Sequence, residues 1–235
     1  MVDGRIALDA GALTSALTLE EQGKLEAVLV SHAHLDHVRD LATIADNRIQ
    51  MGSPTLDVYG PPATLRALAR HFFNDRIWPD FTKLPTPERP TVRLCPLRVG
   101  KPTAIGAYEV TAVPVHHTID CSGFVVSSGE VAIGYSGDTG PTDRFWSLLQ
   151  RTKNLKMALV EVSFPDELAD LARVTGHFTP KSLAADLQKL ERPAELDVLL
   201  YHMKPVFQGA IERECARLPG LSLEVARIGD RFKIG

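Results

Sequence analysis

Two periods of hydrophobic and polar positions alternate along the chain. Apolar runs of strand length, rich in Val, Ile and Tyr, fall at residues 6–9, 27–31, 56–59, 91–94, 108–115, 124–127, 131–136, 157–162, 198–202 and 223–228. Between them, apolar residues at helical spacing predict helices over 19–25, 38–47, 63–73, 143–151, 181–190 and 210–217, several opened by Thr, Asp or Pro. Such alternation predicts an α/β layered domain rather than an all-β one. Residues 74–101 break the pattern, carrying Pro79, Pro85, Pro87, Pro90 and Pro96 with Trp78 and Phe81 among them, and read as a long structured loop. A loop of this kind either lies over a site or is an irregular connection packed by its own aromatics.

Composition narrows the function classes. The 235 residues, 44% hydrophobic, are enough to bury a core without staples, and no apolar run approaches the roughly 20 residues of a membrane span. A formal net charge of -3 gives no general attraction for polyanions or anionic membranes, so neither extended nucleic acid nor a membrane is an expected partner. The three cysteines, Cys95, Cys121 and Cys215, are far apart and odd in number, and the first residues lack the charged and apolar regions of a signal peptide. A reducing cytoplasm is the expected compartment.

The histidines carry the chemistry. Three of the eight fall in Ser31-His32-Ala33-His34-Leu35-Asp36-His37. In an extended turn His32 and His34 can share one cation, while Asp36 and His37 turn towards a second. Imidazole suits zinc and related metals, and a carboxylate adds charge and can bridge two ions. The alternative is a helix N-terminus capped by Asp36 beside exposed histidines. Further candidates each follow an apolar strand: His116-His117, Ser136-Gly137-Asp138 and His202. Ligands that gather at strand ends can converge at one rim of a layered sheet.

With S-H-A-H-L-D-H, V-H-H, S-G-D-T-G, E-V-S-F-P, G-H-F-T-P and Y-H-M-K-P, the sequence resembles the metallo-β-lactamase fold, a four-layer αββα sandwich of dinuclear hydrolases, over nearly its whole length. Within that fold it looks like the class II cyclic-nucleotide phosphodiesterases, with ribonuclease Z a close relative. The resemblance implies a single domain over residues 1–235 and two divalent metal ions, zinc by default, with manganese and iron open. One ion would take His32, His34 and His117, the other Asp36, His37 and His202, with Asp138 bridging. His117 is preferred to His116 because relatives place five residues between this ligand and a Gly-aromatic pair, here Gly123-Phe124. His116 then either supports a ligand from behind or is merely packed, and packing is the preferred reading.

The resemblance also implies the reaction. Water bridging the two ions, its pKa lowered towards about 7, would attack a small phosphodiester, a 3',5'-cyclic nucleotide first. His177, oriented by Glu161, would protonate the leaving oxygen, so His177, Glu161 and Asp36 are the candidate catalytic residues. The other reading of this pair is structural, with His177 capping the helix near Pro180 and Glu161 anchoring a strand end. His71 gets no role, and Lys204, beside His202, could meet a phosphate but reads first as an exposed lysine. Trp78 and Phe81 are candidate stacking partners for a base. Ribonuclease Z relatives grip tRNA with a basic arm between the third histidine and the bridging aspartate, and residues 118–137 leave no room for one. The alternatives are a ribonuclease Z-like endonuclease, an acyl or thioester hydrolase of the same fold, and, last, a non-enzymatic metal-bearing scaffold. Two departures stand out: Asp40 occupies a position where the family usually has Gly, and the chain opens almost directly on Ala7-Leu8-Asp9-Ala10-Gly11, so the first one or two strands of relatives are expected to be missing. The oligomeric state is open between monomer and homodimer.

Overall fold

The computed structural model describes residues 1–234, in two compact units that divide after Arg98. The first unit runs β1 (Ile6–Leu8), α1 (Leu13–Ala16), α2 (Leu19–Lys24), β2 (Ala27–Leu29), α3 (Leu35–Val38), α4 (Asp40–Gln50), β3 (Leu56–Gly60) and α5 (Pro62–Ala67), which continues as one π-helical turn (Leu68–Phe72). Then come β4 (Pro85–Thr86), β5 (Arg89–Pro90) and β6 (Val92–Pro96). Strands β1, β2, β3 and β6 form one sheet in that order, all pairs parallel. Parallel neighbours need crossover connections, which the intervening helices supply. Leu41, Ile44 and Ala45 of α4 pack with Val28, Val58 and Val92 of the strands in one buried cluster.

The second unit holds β7 (Thr103–Ile105), β8 (Tyr108–Pro114), β9 (Ser122–Ser127), β10 (Ala132–Tyr135), α6 (Arg144–Arg151), β11 (Leu155–Glu161), α7 (Ala169–Thr175), α8 (Pro180–Leu187), β12 (Asp197–Tyr201), α9 (Gln208–Cys215) and β13 (Leu223–Val225). Its seven strands lie in chain order, antiparallel from β7 to β10 and parallel from β10 to β13. Helices enter only where the sheet turns parallel, as crossovers require. Phe145, Trp146 and Leu149 of α6, Leu183 and Leu187 of α8 and Ile211 of α9 fill a core against Val113, Val125, Val160 and Val198. The buried Asp186 carboxylate ties α8 to α6 by accepting from Trp146 Nε1 and from the Thr142 N–H, each at 2.8 Å.

Each apolar run read from the sequence became a strand, but some boundaries and short elements differ. The helix expected over 38–47 is two helices meeting at Arg39. There the buried Asp40 carboxylate accepts from the Thr14 N–H and hydroxyl, both at 2.7 Å, while the Asp40 N–H donates to Ala10 O. The departure from glycine at this position therefore has a local use, fastening α1 to the start of α4. The 63–73 helix converts to a π turn at Leu68. Three-residue β7, the two-residue pair β4 and β5, and four-residue α1 are too short to show a period, and α7 was also missed.

The 74–101 stretch is not one loop, since it contains the β4–β5 ribbon and β6. Its aromatics pack inward. Phe81 is 3% exposed within the buried cluster of the first unit, and Trp78 Nε1 donates to Ala42 O at 3.0 Å. Burial removes Phe81 as a stacking partner for a base, while Trp78 is half-buried against the same cluster.

Asp40→Gly should cost about 1–3 kcal/mol, from loss of two charge-assisted hydrogen bonds in a buried setting, measured as the shift in urea unfolding. An unchanged midpoint would show that Asp40 does not fasten α1.

Candidate metal centre

In the first unit the charged residues follow strand ends. Asp9, just after β1, adopts a left-handed backbone (φ 58°), which is costly for a residue with a Cβ and needs strong partners. They are present: its carboxylate accepts from the Ser31 N–H at 2.6 Å and the Ser31 hydroxyl at 2.7 Å, and lies 2.7 Å from His37 Nδ1. Ser31 Oγ lies 2.9 Å from His32 Nδ1. The Nδ1 atoms of His32 and His37 are thus both engaged. His32 Nε2 in turn stands 2.9 Å from His34 Nδ1, and the His32 and His37 rings are centred 4.2 Å apart.

Asp36 sits exposed in the first turn of α3, with Oδ2 3.8 Å from His37 Nε2. It does not cap the helix, because His34 holds the cap position. The turn is pressed against Gly11, where an added Cβ would come 1.7 Å from Asp36 O. No residue larger than glycine fits that approach.

In the second unit Asp138 follows β10 in the turn Ser136-Gly137-Asp138-Thr139-Gly140 and is 2% exposed. The turn is held on several sides. Ser136 Oγ and the Tyr201 hydroxyl donate to Gly137 O at 2.6 and 2.8 Å, and the Thr139 N–H donates to Glu161 Oε1 at 3.0 Å. The chain at His116 is clipped to it by its own N–H on Thr139 Oγ1 (3.1 Å) and by Gly140 N–H on His116 O (2.8 Å).

His117 Nδ1 lies 3.0 Å from Gly176 O, at the left-handed C-terminus of α7 (φ 67°). A Cβ on Gly176 would come 2.9 Å from His117 Cα, so glycine answers both the turn and the approach. His177 Nδ1 lies 2.6 Å from Glu161 Oε1. His202, at the end of β12, is a second left-handed residue (φ 65°), with Nδ1 2.9 Å from Ser163 Oγ and Nε2 3.4 Å from Asp138 Oδ2.

Among the described residues of this unit, His117, Asp138 and His177 each offer a ligand atom within 4.8 Å of the others, as do Glu161, His177 and His202. His116 is exposed and outside these groups, so the structure brings in His117 of the adjacent pair. Lys204 is half-buried rather than at the open surface. The Cys215 thiol is pushed up to about 12, chiefly by burial, which suits a core residue and not a nucleophile.

Glu161 is completely buried. Burial drives its carboxyl well above the usual range, with the Asp138 carboxylate adding to the effect and His202, the Thr139 N–H and the Ser163 hydroxyl opposing it. Donors nevertheless face it, Thr139 N–H, Ser163 Oγ–H and the more distant Phe178 N–H at 3.4 Å, and His177 Nδ1 lies beside Oε1. It therefore serves as an acceptor.

The arrangement fits divalent metal ions. A histidine that ligates a metal characteristically commits its other nitrogen to a carboxylate, carbonyl or hydroxyl. Here His37 and His177 have Nδ1 on a carboxylate, His117 on a carbonyl, and His32 and His202 on a serine hydroxyl, so the nitrogen these rings turn to a metal ion is Nε2. His32 Nε2 and His34 Nδ1, 2.9 Å apart, are close to the spacing of about 3.3 Å that two nitrogens take on one tetrahedral zinc. Sequence reasoning missed Asp9, Ser31, Ser163 and Gly176 as supports. The signals available were Asp9 and Ser31 directly after strands, and Ser163 two residues after Glu161.

Comparison with known proteins adds an independent line. The "Beta-lactamase superfamily domain" family matches residues 5–203. A probable 3',5'-cyclic-nucleotide phosphodiesterase of Yersinia pestis is 32% identical over 229 residues, covering 84% of this chain and 64% of that protein. A 3',5'-cyclic-nucleotide phosphodiesterase of Aliivibrio fischeri is 28% identical, covering 85% and 72%. The chain thus spans about two thirds of the length of these relatives. The crystal structure of unliganded yeast PDE1 superimposes with a TM-score of 0.78 at 24% identity, over 90% of this chain and 69% of that one, which establishes the α/β fold of the metallo-β-lactamases.

Gly11→Ala should destabilise the protein by about 1–3 kcal/mol or more, because the new Cβ meets backbone and the His34–His37 turn must move. Thermal unfolding checks the loss. A wild-type midpoint would refute the close approach.

Proposed function

Because the chain belongs to the beta-lactamase superfamily domain family, we propose that it is a metal-dependent phosphodiesterase whose substrate is a 3',5'-cyclic nucleotide. The observation that carries the metal-dependent part is the commitment of Nδ1 on four of the ligand histidines, His32, His37, His117 and His202, to oxygen partners. The cyclic-nucleotide part is supported by the two relatives that bear that name.

In this reading residues 1–235 act as one domain holding two ions. His32, His34 and His117 serve one, Asp36, His37 and His202 the other, and Asp138 serves both. Zinc is the default for imidazole and carboxylate ligands, with manganese and iron open. When bound, the ions supply charge to neutralise the phosphoryl oxygens and acidify water.

The chain's own residues do the rest. The Glu161 carboxylate accepts a hydrogen bond from His177 Nδ1–H, which favours the imidazolium form of that ring, and the imidazolium gives its Nε2 proton to the leaving oxygen and is left neutral with the proton on Nδ1. Asp36, the most exposed carboxylate of the set, contributes charge at its ion. Three dispersed thiols fit a reducing cytoplasm. No helix among the described residues is long and apolar enough to cross a membrane.

Elemental analysis should find up to two ions per chain, and Asp138→Ala should lower that number; full occupancy in the variant would remove Asp138 from the shared position. Chelator should abolish hydrolysis of cyclic AMP or cyclic GMP and added zinc or manganese restore it, with turnover only weakly dependent on salt. Strongly salt-sensitive cleavage of a tRNA precursor with no opening of cyclic nucleotides would favour the ribonuclease instead. His177→Ala should retain metal yet lose roughly 10²–10⁴-fold in rate on a poor leaving group and less on an activated aryl ester. Equal losses on both would show that His177 does not donate the proton.

A further inference from the structure

Ser163 has no role in the reading above, yet it is fully buried and sits among more polar atoms than a spacer residue would. Its Oγ lies 2.9 Å from His202 Nδ1, 3.1 Å from Glu161 Oε2, 3.2 Å from His177 Nδ1 and 3.1 Å from His202 O. A hydroxyl has one proton to give and two lone pairs to receive with. His177 Nδ1 is already satisfied by Glu161 Oε1 at the shorter distance of 2.6 Å. Glu161 Oε2 and His202 O, both at 3.1 Å, compete for the Ser163 proton, and with that proton on either of them a Ser163 lone pair faces His202 Nδ1 and can receive its N–H.

The same pattern occurs in the first unit with different residues. Asp9 holds His37 Nδ1 directly, and Ser31, hydrogen-bonded to Asp9, stands on His32 Nδ1. In each unit one buried carboxylate governs two imidazoles, one by contact and one through a serine hydroxyl. The backbone agrees, since the left-handed residue of each arrangement, Asp9 or His202, is itself a member of it.

We propose that Ser163 and Ser31 are positioning residues that relay Glu161 and Asp9 to His202 and His32, holding both imidazoles with the proton on Nδ1 so that the lone pair presented to a metal ion is that of Nε2. This rests on the metal-dependent reading above and extends it to two residues that touch no ion or substrate. The relay also links the proton donor to a metal ligand, because His177 and His202 depend on the same carboxylate. A change at Glu161 must disturb both, and one at Ser163 mainly His202.

The test uses the metal-free full chain and zinc, with affinity read by competition against a chromophoric chelator. Ser163→Ala and Ser31→Ala should each weaken zinc binding by about 10–100-fold, and Ser163→Thr, which keeps the hydroxyl, should bind nearly as well as wild type. A lower unfolding temperature with unchanged zinc affinity would make the serines merely structural and overturn the proposal. Should the alanine variants fail to fold, long-range ¹H–¹⁵N spectra of zinc-loaded wild type decide. His202 and His32 in the Nδ1–H form support the relay, and the Nε2–H form in either overturns it. A wild type that binds no zinc defeats the metal-dependent reading itself, whereas tight wild-type binding matched by Ser163→Ala defeats only the relay.

Discussion

An imidazole can present a chosen nitrogen to a ligand only if something fixes the other, and in this protein that constraint falls on two buried carboxylates. Asp9 and Glu161 are 6% and 0% exposed, and each is surrounded by donors. A buried carboxylate with any donor removed becomes an unfavourable group, so the network tolerates little error. The orientation of His37 and His177, and through the serines of His32 and His202, follows from these two side chains. His117 is the exception, held by a backbone carbonyl at the end of α7.

The supporting backbone is correspondingly strained or crowded. Asp9 and His202 take left-handed conformations that cost residues with a Cβ of order 1 kcal/mol or more, and both are retained where polar side chains compensate. Gly11 and Gly176 permit close approaches that no other residue would, one to the histidine turn and one to His117. The sheets provide the fixed ends from which these loops depart. Asp9 and Ser31 follow parallel strands β1 and β2, and Asp138, Glu161 and His202 end or follow β10, β11 and β12, the parallel part of the second sheet. Carboxyl ends of parallel strands lie side by side, which brings residues 138, 161 and 202 together despite their separation in sequence.

Most strands were legible because they are buried apolar runs bounded by turn residues, and burial in a parallel sheet leaves little else that such runs could be. The dense His-x-His-x-Asp-His cluster was legible for a similar reason, since spacing alone places those groups in one turn. Position after a strand pointed to His117, Asp138 and His202. Short-range information failed at the α3–α4 junction, where Asp40 answers Thr14 from far along the chain, and in the 74–101 segment, where packing rather than periodicity decides that Phe81 and Trp78 turn inward.

The sequence by itself determined which residues could do chemistry, because residue type and strand-end placement are local properties. It also determined the α/β alternation, since helix and strand periods are written into consecutive positions. Only the tertiary structure decided which nitrogen each imidazole offers. That depends on oxygens supplied from elsewhere in the chain, Asp9 to His37, Gly176 to His117, Glu161 to His177 and Ser163 to His202, and a hydrogen bond between residues distant in sequence leaves no periodic trace.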